Sequence, residues 1–210
     1  MNELIDFVIK RQDKILELLG QHLEMVLIAL SISIVLGLII GFLITYNEKA
    51  AQVVLYIAGI FMTVPSLALF AFLVPLMGLN MKPVIFGLVI YTQLPIIRNV
   101  YVGLTNIDQS IIDAARGMGL TGLQINLKVR FPLAMPVIFA GVRTAVVLGI
   151  GIGAIAAYIG AGGLGVYIFQ GINRGIMNMV LVAAILVALI TVVADRLLQL
   201  VQRAAEKRIS

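Results

Sequence analysis

Residues 160–165 match a fingerprint for binding the phosphates of a dinucleotide. They read GAGGLG, which fits the pattern G-x-G-x-x-G letter for letter. That chemistry needs a strand before the glycines, a helix starting at the last one, and an acid about 20 residues later for the ribose. The preceding apolar run is too long for a strand, and the first downstream acid is Asp195, 30 residues past Gly165. A nicotinamide-dependent membrane enzyme is therefore only a weak alternative, one that nucleotide protection of these glycines would support.

Side chains that bind metals or relay protons are scarce. The chain has no cysteine and a single histidine, His22, so we expect neither a metal site nor a cofactor bound by this chain. No acid lies between Glu48 and Asp108, or between Asp113 and Asp195. Transporters that run on protons or sodium usually carry intramembrane acids. This pattern disfavours an ion-coupled carrier, so transport would need energy from a partner. An ATP-independent channel or carrier remains the alternative from another class.

The composition predicts an all-α integral membrane protein. Hydrophobic residues make up 61% of the 210 residues and charged residues 12%, against about 25% charged residues in soluble domains. A bilayer core of about 30 Å needs roughly 20 apolar helical residues. Five such runs are present, with kinks expected at Pro65 and Pro95. The five predicted transmembrane helices cover residues 25–46, 52–77, 84–104, 136–159 and 176–194.

Three regions follow along the chain. Residues 1–22 place apolar side chains on one helical face, which predicts an outer amphipathic helix at the membrane interface. Residues 23–203 form the five-span domain, with a loop at 105–135 between the third and fourth spans. Residues 204–210 form a short tail.

The distribution of lysine and arginine predicts the orientation. One side of the membrane carries ten of the fifteen basic residues and five of the ten acids. These bases are Lys49, Arg98, Arg116, Lys128, Arg130, Arg143, Arg196, Arg203, Lys207 and Arg208. That side is the cytoplasm, so the N-terminus lies outside and the C-terminus inside. The basicity of the chain reflects this topology, and we expect contact with membrane lipid but no nucleic-acid partner.

The loop at 105–135 has the pattern of two short helices joined at a glycine. Asp108 or Ser110 can cap the first helix, with Ser110 and Asp113 spaced as a capping box, and Gly119 can end it in a left-handed conformation. Thr121 can cap the second helix, with Gln124 in the box position. Ile111, Ile112, Ala115 and Met118 offer apolar contact to a partner. Patterning alone also allows an amphipathic hairpin that lies on the membrane.

The spacing in this loop is more specific than its patterning. Asp113-Ala114-Ala115 is followed after three residues by Gly119 and after nine more by Val129-Arg130-Phe131-Pro132. This resembles the EAA loop of permease subunits of bacterial ATP-binding-cassette (ABC) importers, whose pattern is Glu-Ala-Ala, three residues, Gly, nine residues, Ile-x-Leu-Pro. Asp113, Val129 and Phe131 are mild departures from that pattern that keep its charge and apolar character.

The resemblance implies a fold, a role and partners. It implies the type I ABC importer permease fold in a bacterial inner membrane, with this chain as half of a translocation pore. The implied residues that couple the chain to a cytoplasmic ATPase dimer are Asp113, Ala114, Ala115, Gly119, Leu120 and Pro132. ATP and magnesium would be bound by that ATPase, so this chain would not be an enzyme. Further partners would be a second permease, identical or homologous, and an extracytoplasmic substrate-binding protein.

Further stretches resemble one branch of that family. The stretches TVPSLALFAFLVPLMGL, QLPIIRNVYVGL, PLAMPVIFAGVRTA and AYIGAGGLG look like those of permeases for glycine betaine, carnitine, choline and related osmoprotectants. Methionine importers contain similar sequence stretches and also have five spans, so a methionine permease is the alternative. An aromatic cage for a quaternary ammonium ion would belong to the binding protein.

Two further sets of residues are candidates for function. Gly160, Gly162, Gly163 and Gly165 are expected to form an outer turn followed by a re-entrant helix. This turn would help to form the outer gate or to dock the binding protein, or would simply join two spans. Arg98 and Arg143 are expected at the cytoplasmic mouth of the pore, because an arginine facing lipid at the midplane is costly.

Overall fold

The computed structural model describes residues 2–206, and all of the regular structure in this range is helical. Residues 207–210 of the predicted tail lie outside this range. The ten α-helices are α1 (Asn2–Lys10), α2 (Gln12–Leu43), α3 (Glu48–Thr63), α4 (Ser66–Met77), α5 (Met81–Thr105), α6 (Gln109–Gly117), α7 (Gly122–Ile125), α8 (Phe131–Gly153), α9 (Gly165–Arg174) and α10 (Met177–Glu206). Short 3₁₀ segments follow α2 (Ile44–Tyr46) and α8 (Ala154–Ile159), and a π-helical segment, Asn126–Arg130, joins α7 to α8.

The described residues contain four helical runs that are long and apolar enough to cross a membrane. They are Gln12–Tyr46, Met81–Thr105, Gly122–Ile159 and Met177–Ala204. The pair α3 and α4, which meet at an angle of 96°, counts as a fifth span if the two helices cross the membrane as one bent unit. The chain breaks at Val64 and Pro65, both of which have extended backbones, because proline disfavours helical geometry in the residue before it. The helices thus fit the predicted five spans and confirm the kink at Pro65, and α5 continues as one helix through Pro95.

The N-terminal region differs from the predicted division at residue 22. The helix breaks at Arg11 instead, and α2 continues without interruption from Gln12 into the first span. The physical reason is burial. Ile15 and Leu18 pack into a cluster with Leu164, Tyr167 and residues of α10, so this part of α2 belongs to the bundle. Only α1 is a separate short helix.

Helix α5 lies at the centre of the bundle and packs against α2 and α8. Glycines on the neighbouring helices allow close approach, as is common between membrane helices. A Cβ atom on Gly37 or Gly41 of α2 would collide with Ile96 or Val100. On α8, a Cβ atom on Gly141 would lie 2.6 Å from the Pro95 carbonyl oxygen and 2.5 Å from the Asn99 Cβ atom.

Candidate functional site

The first helix of the candidate coupling loop is α6, and its start is fixed by Asp108. The Ser110 backbone N–H donates to Asp108 Oδ1 at 2.8 Å, which makes Asp108 the N-cap. Hydrogen bonds from Ser110 hold the pKa of the Asp108 carboxyl below its ordinary value. The predicted capping box of Ser110 and Asp113 is wrong. Asp113 instead accepts a hydrogen bond from Gln109 Nε2 at 2.9 Å. The cap is already supplied by Asp108, which accepts the hydrogen bond from the Ser110 N–H.

The turn after α6 has the predicted glycine geometry. Gly119 has φ of +80°, and its N–H donates to the Arg116 carbonyl oxygen at 2.9 Å. Thr121 and Gln124 then form a complete capping box at the start of α7, with N–H to side-chain distances of 3.4 Å and 2.8 Å. The helix, glycine turn and second helix predicted for this loop are confirmed.

One face of this hairpin packs against its own chain. Ile112, Ala115 and Ile125 are almost completely buried, and Leu120 and Val129 pack against them. This corrects the prediction for Ile112 and Ala115, which were expected to offer apolar contact to a partner. Helix α6 packs against the segments before and after it, so the side that carries Ile112 and Ala115 is buried. Ala115 therefore supports the hairpin from inside, and its small size lets α6 lie close to α7.

The opposite face of the hairpin is open. Asp113 and Ala114 are exposed on α6, and Met118 exposes 75% of its surface. Leu123 and Leu127, which sequence reasoning did not single out, expose 68% and 60%. We call these five residues the coupling face. The sequence signal that could have identified them is a pair of leucines four positions apart directly after the Thr121 cap. Asp113 also lies 3.5 Å from Arg116 in an exposed ion pair.

A cavity of about 500 Å³ lies beside the coupling face. Its lining includes Tyr46, Arg116, Leu120 and Arg130. The Tyr46 hydroxyl accepts a hydrogen bond from Asn126 Nδ2 at 3.1 Å, which ties the π-helical segment to the end of the first span. Pro132 stands in the first turn of α8, directly after the π-helical segment, and the helical run is unbroken from Gly122 to Ile159. The hairpin is thus continuous with the fourth span.

Two of the four glycines in the turn at 160–165, Gly162 and Gly163, lie against α2, where a Cβ atom would meet Gln21 or Met25. Gly160, Gly162 and Gly163 all have φ near +80°, a left-handed conformation that favours glycine. Gly165 has ordinary backbone angles but begins α9, where a Cβ atom would collide with the Ala154 carbonyl oxygen. The Gly163 N–H donates to Gln21 Oε1 at 3.1 Å. A 3₁₀ segment, not a strand, precedes the glycines, so the context for dinucleotide binding is absent.

The two predicted pore arginines have different surroundings. Arg98 is exposed on α5, whereas Arg143 is partly buried in the middle of α8. The Arg143 guanidinium contacts Asp195 of α10 at 2.8 Å. Sequence reasoning did not foresee this pair, because the two residues lie 52 positions apart. Within residues 2–206, no three side chains of the metal-binding types come together.

Comparison with known proteins decides the family. Residues 33–207 match the model of the binding-protein-dependent transport system inner membrane component. The chain belongs to this family. It is an integral membrane protein of the bacterial inner membrane, and the permease fold predicted from the EAA-like spacing is confirmed.

Two curated relatives and one solved structure show how far the similarity of this permease extends. The glycine betaine/carnitine/choline transport system permease protein OpuCB of Bacillus subtilis is 35% identical over 97% of this chain and 94% of that protein. The osmoprotectant import permease protein OsmW of Salmonella typhimurium is 37% identical over 95% of each chain. A structure of the inward-facing MetNI methionine ABC transporter matches with a TM-score of 0.79 at 24% identity, covering 89% of this chain and 93% of that one. At that identity the structural match shows the fold alone.

Proposed function

We propose that this permease forms half of the translocation pore of an ATP-driven importer for quaternary-ammonium osmoprotectants such as glycine betaine, carnitine and choline. The observation that carries this proposal is the near full-length similarity to permeases named for these solutes. The likeness to a methionine transporter extends only to the fold, and no feature of the described residues favours methionine.

The coupling face is the proposed docking site for a cytoplasmic ATPase dimer. Four features support this role: an acid at Asp113, little bulk at Ala114, and exposed apolar side chains at Met118 and Leu123. A groove in a partner can close over an exposed amphipathic helix of this kind. The ATPase would bind ATP and magnesium and carry out hydrolysis, and this chain would convert the resulting motion into opening of the pore.

The remaining partners follow from the topology proposed from charge. With the N-terminus outside and the C-terminus in the cytoplasm, the coupling face lies on the cytoplasmic side and the glycine turn at 160–165 lies on the outer side. The outer turn would then meet the substrate-binding protein, on which transport in this family depends. A second permease, identical or homologous, would complete the pore.

Reconstitution tests the proposal directly. The permease is assembled in liposomes with its ATPase and binding protein, and uptake of labelled glycine betaine and ATP hydrolysis are measured. We expect uptake that requires all three components, with hydrolysis stimulated by the loaded binding protein. Uptake by the permease alone without ATP would instead indicate a channel or carrier.

A matched pair of variants tests the coupling loop in the same assay. Gly119→Val forces a branched side chain into a left-handed backbone, whereas Gly117→Val adds the same atoms at an ordinary helical position. Neither Cβ atom would meet a neighbour within 4 Å, and Gly119 alone has a left-handed backbone, which a branched side chain disfavours. We expect Gly119→Val to lose uptake and stimulated hydrolysis together while remaining in the membrane. Full uptake and full retention of the ATPase by this variant would show that the loop does not couple the two subunits.

A further inference from the structure

A partly exposed ion pair lies between the fourth and fifth spans, in the middle of α8. Arg143 Nε and Nη2 both donate to Asp195 Oδ1, at 3.0 Å and 2.8 Å. Arg143 Nη1 donates to Gln202 Oε1 at 3.0 Å. Among the described residues, Asp195 Oδ2 receives no hydrogen bond. The pair therefore holds α8 against α10, with all three guanidinium nitrogens donating hydrogen bonds and Asp195 Oδ2 not used in the contact.

The exposure of this pair indicates what its surface faces. The side chains of Arg143 and Asp195 remain 23% and 32% exposed. Charged side chains within membrane spans almost always face a bundle interior or a water-filled cavity, since contact with lipid is costly. The surface that carries the pair is therefore directed away from lipid, at a bundle interior or at an aqueous path.

A cavity of about 390 Å³ opens beside the pair. Its walls are Ala140, Thr144, Val147 and Leu148 of α8, together with Arg143 and Asp195. One site thus offers a planar cation, a carboxylate oxygen and an apolar wall. This combination is complementary to a small zwitterion. The carboxylate of such a molecule can accept hydrogen bonds from a guanidinium, whereas a quaternary ammonium group, which has no N–H, needs an opposite charge and apolar contact.

We infer that this cavity is a substrate site within the membrane, where Arg143 binds the carboxylate of a zwitterionic osmolyte and Asp195 faces its quaternary ammonium. The inference rests on the proposed function and adds a recognition site to it. The ion pair is neutral overall, and so is a betaine, so the zwitterion can exchange contacts with the pair without leaving an uncompensated charge in the spans. Glycine betaine and carnitine carry both groups, whereas choline has no carboxylate. Arg143 thus distinguishes the zwitterions from choline.

The first test compares substrates in liposomes that contain the full transporter. Arg143→Gln removes the charge and keeps side-chain hydrogen bonding. We expect glycine betaine uptake to fall about tenfold or more, because a charge-assisted hydrogen bond is lost, while choline uptake changes much less. Equal changes for both substrates, or no change, would overturn the inference. If the wild-type transporter takes up neither solute, the proposed function itself fails, and that result is separate from any effect at Arg143.

Two further variants keep the test decisive if Arg143→Gln assembles poorly. Arg143→Leu/Asp195→Leu replaces the pair by apolar contact, which proteins often accept without loss of stability. Val147→Trp fills the cavity and leaves the pair in place. We expect both variants to lose most glycine betaine uptake when compared with the wild type at equal amounts of assembled transporter in the membrane. Wild-type uptake by the double-leucine variant would mean that the pair only joins α8 to α10, and wild-type uptake by Val147→Trp would mean that the cavity holds no substrate.

Discussion

Gly119 in the coupling loop and Gly163 in the turn at 160–165 have nearly the same φ angle in opposite surroundings. Their φ angles are +80° and +81°. A Cβ atom on Gly119 would meet nothing within 4 Å, whereas one on Gly163 would lie 2.5 Å from the Met25 side chain and 3.3 Å from His22. The outer turn is thus packed by its own chain. The coupling turn is left open, as expected for a surface that a second protein covers.

The comparison predicts the largest loss of stability at the outer turn. Gly165→Ala directs a methyl group at the Ala154 carbonyl oxygen, a backbone atom that cannot rotate away. Overpacking of this kind costs about 1–3 kcal/mol or more. We expect a clear drop in the thermal unfolding midpoint of the purified permease in detergent. Gly151→Ala is the control, since its added methyl group would meet no atom within 4 Å. Equal midpoints for the two variants would contradict the packing argument.

At the coupling turn, the expected loss of stability is smaller and has a different cause. Gly119→Ala introduces only the strain of a left-handed backbone, about 1–2 kcal/mol. Gly117→Ala, two residues earlier, adds the same methyl group without that strain. The difference between the unfolding midpoints of the two variants measures the cost of placing alanine in a left-handed backbone conformation. If Gly119→Ala is as destabilising as Gly165→Ala, the turn is packed against something and is not open.

Replacing a glycine that has neither a left-handed backbone nor a crowded Cβ position should stabilise the protein. Gly20 lies within α2, and a Cβ atom there would meet nothing within 4 Å. Gly20→Ala should stabilise the helix by about 0.5–1 kcal/mol, since alanine loses less conformational freedom on folding. A small rise in the unfolding midpoint is expected. A lower unfolding midpoint would show that this part of α2 has to bend. It would also mean that the space around a glycine Cβ position does not predict the effect of a substitution there.

The smallest effect is expected at the cap of α6. Because the folded-state pKa of Asp108 is lowered, its capping contribution is complete above the ordinary aspartate pKa of about 3.9 and is lost as pH falls through the lowered folded value. Amide exchange at residues 110–113, corrected for its intrinsic pH dependence, should therefore accelerate only in acid. Asp108→Asn keeps an oxygen acceptor and should remove this pH dependence. An unchanged acid response in Asp108→Asn would assign the effect to another group.

The features that the sequence predicted correctly are those decided locally. Gly119, the Thr121 and Gln124 capping box and the break at Pro65 each depend on a few consecutive residues. The features it missed depend on distant contacts. Burial of Ala115 depends on Ile125 and Val129 folding back over α6. The continuation of α2 past residue 22 depends on α9 and α10, and the partner of Arg143 lies on another span. A single sequence carries no direct record of such contacts.

The close approach of α8 and α5 at Gly141 has a mechanical consequence. The continuous helical run Gly122–Ile159 reaches from the coupling loop to the outer turn, and Gly141 lies near its midpoint. The contact is not a lone pivot, because a Cβ atom on Gly103 of α5 would lie 3.2 Å from Val137 and one on Gly149 of α8 would lie 3.3 Å from Leu30 of α2. Since closely packed interiors transmit strain, a displacement of the loop end of α8 must shift α5 and α2 with it. Movement of the hairpin is thereby shared by three spans and does not stay in one helix.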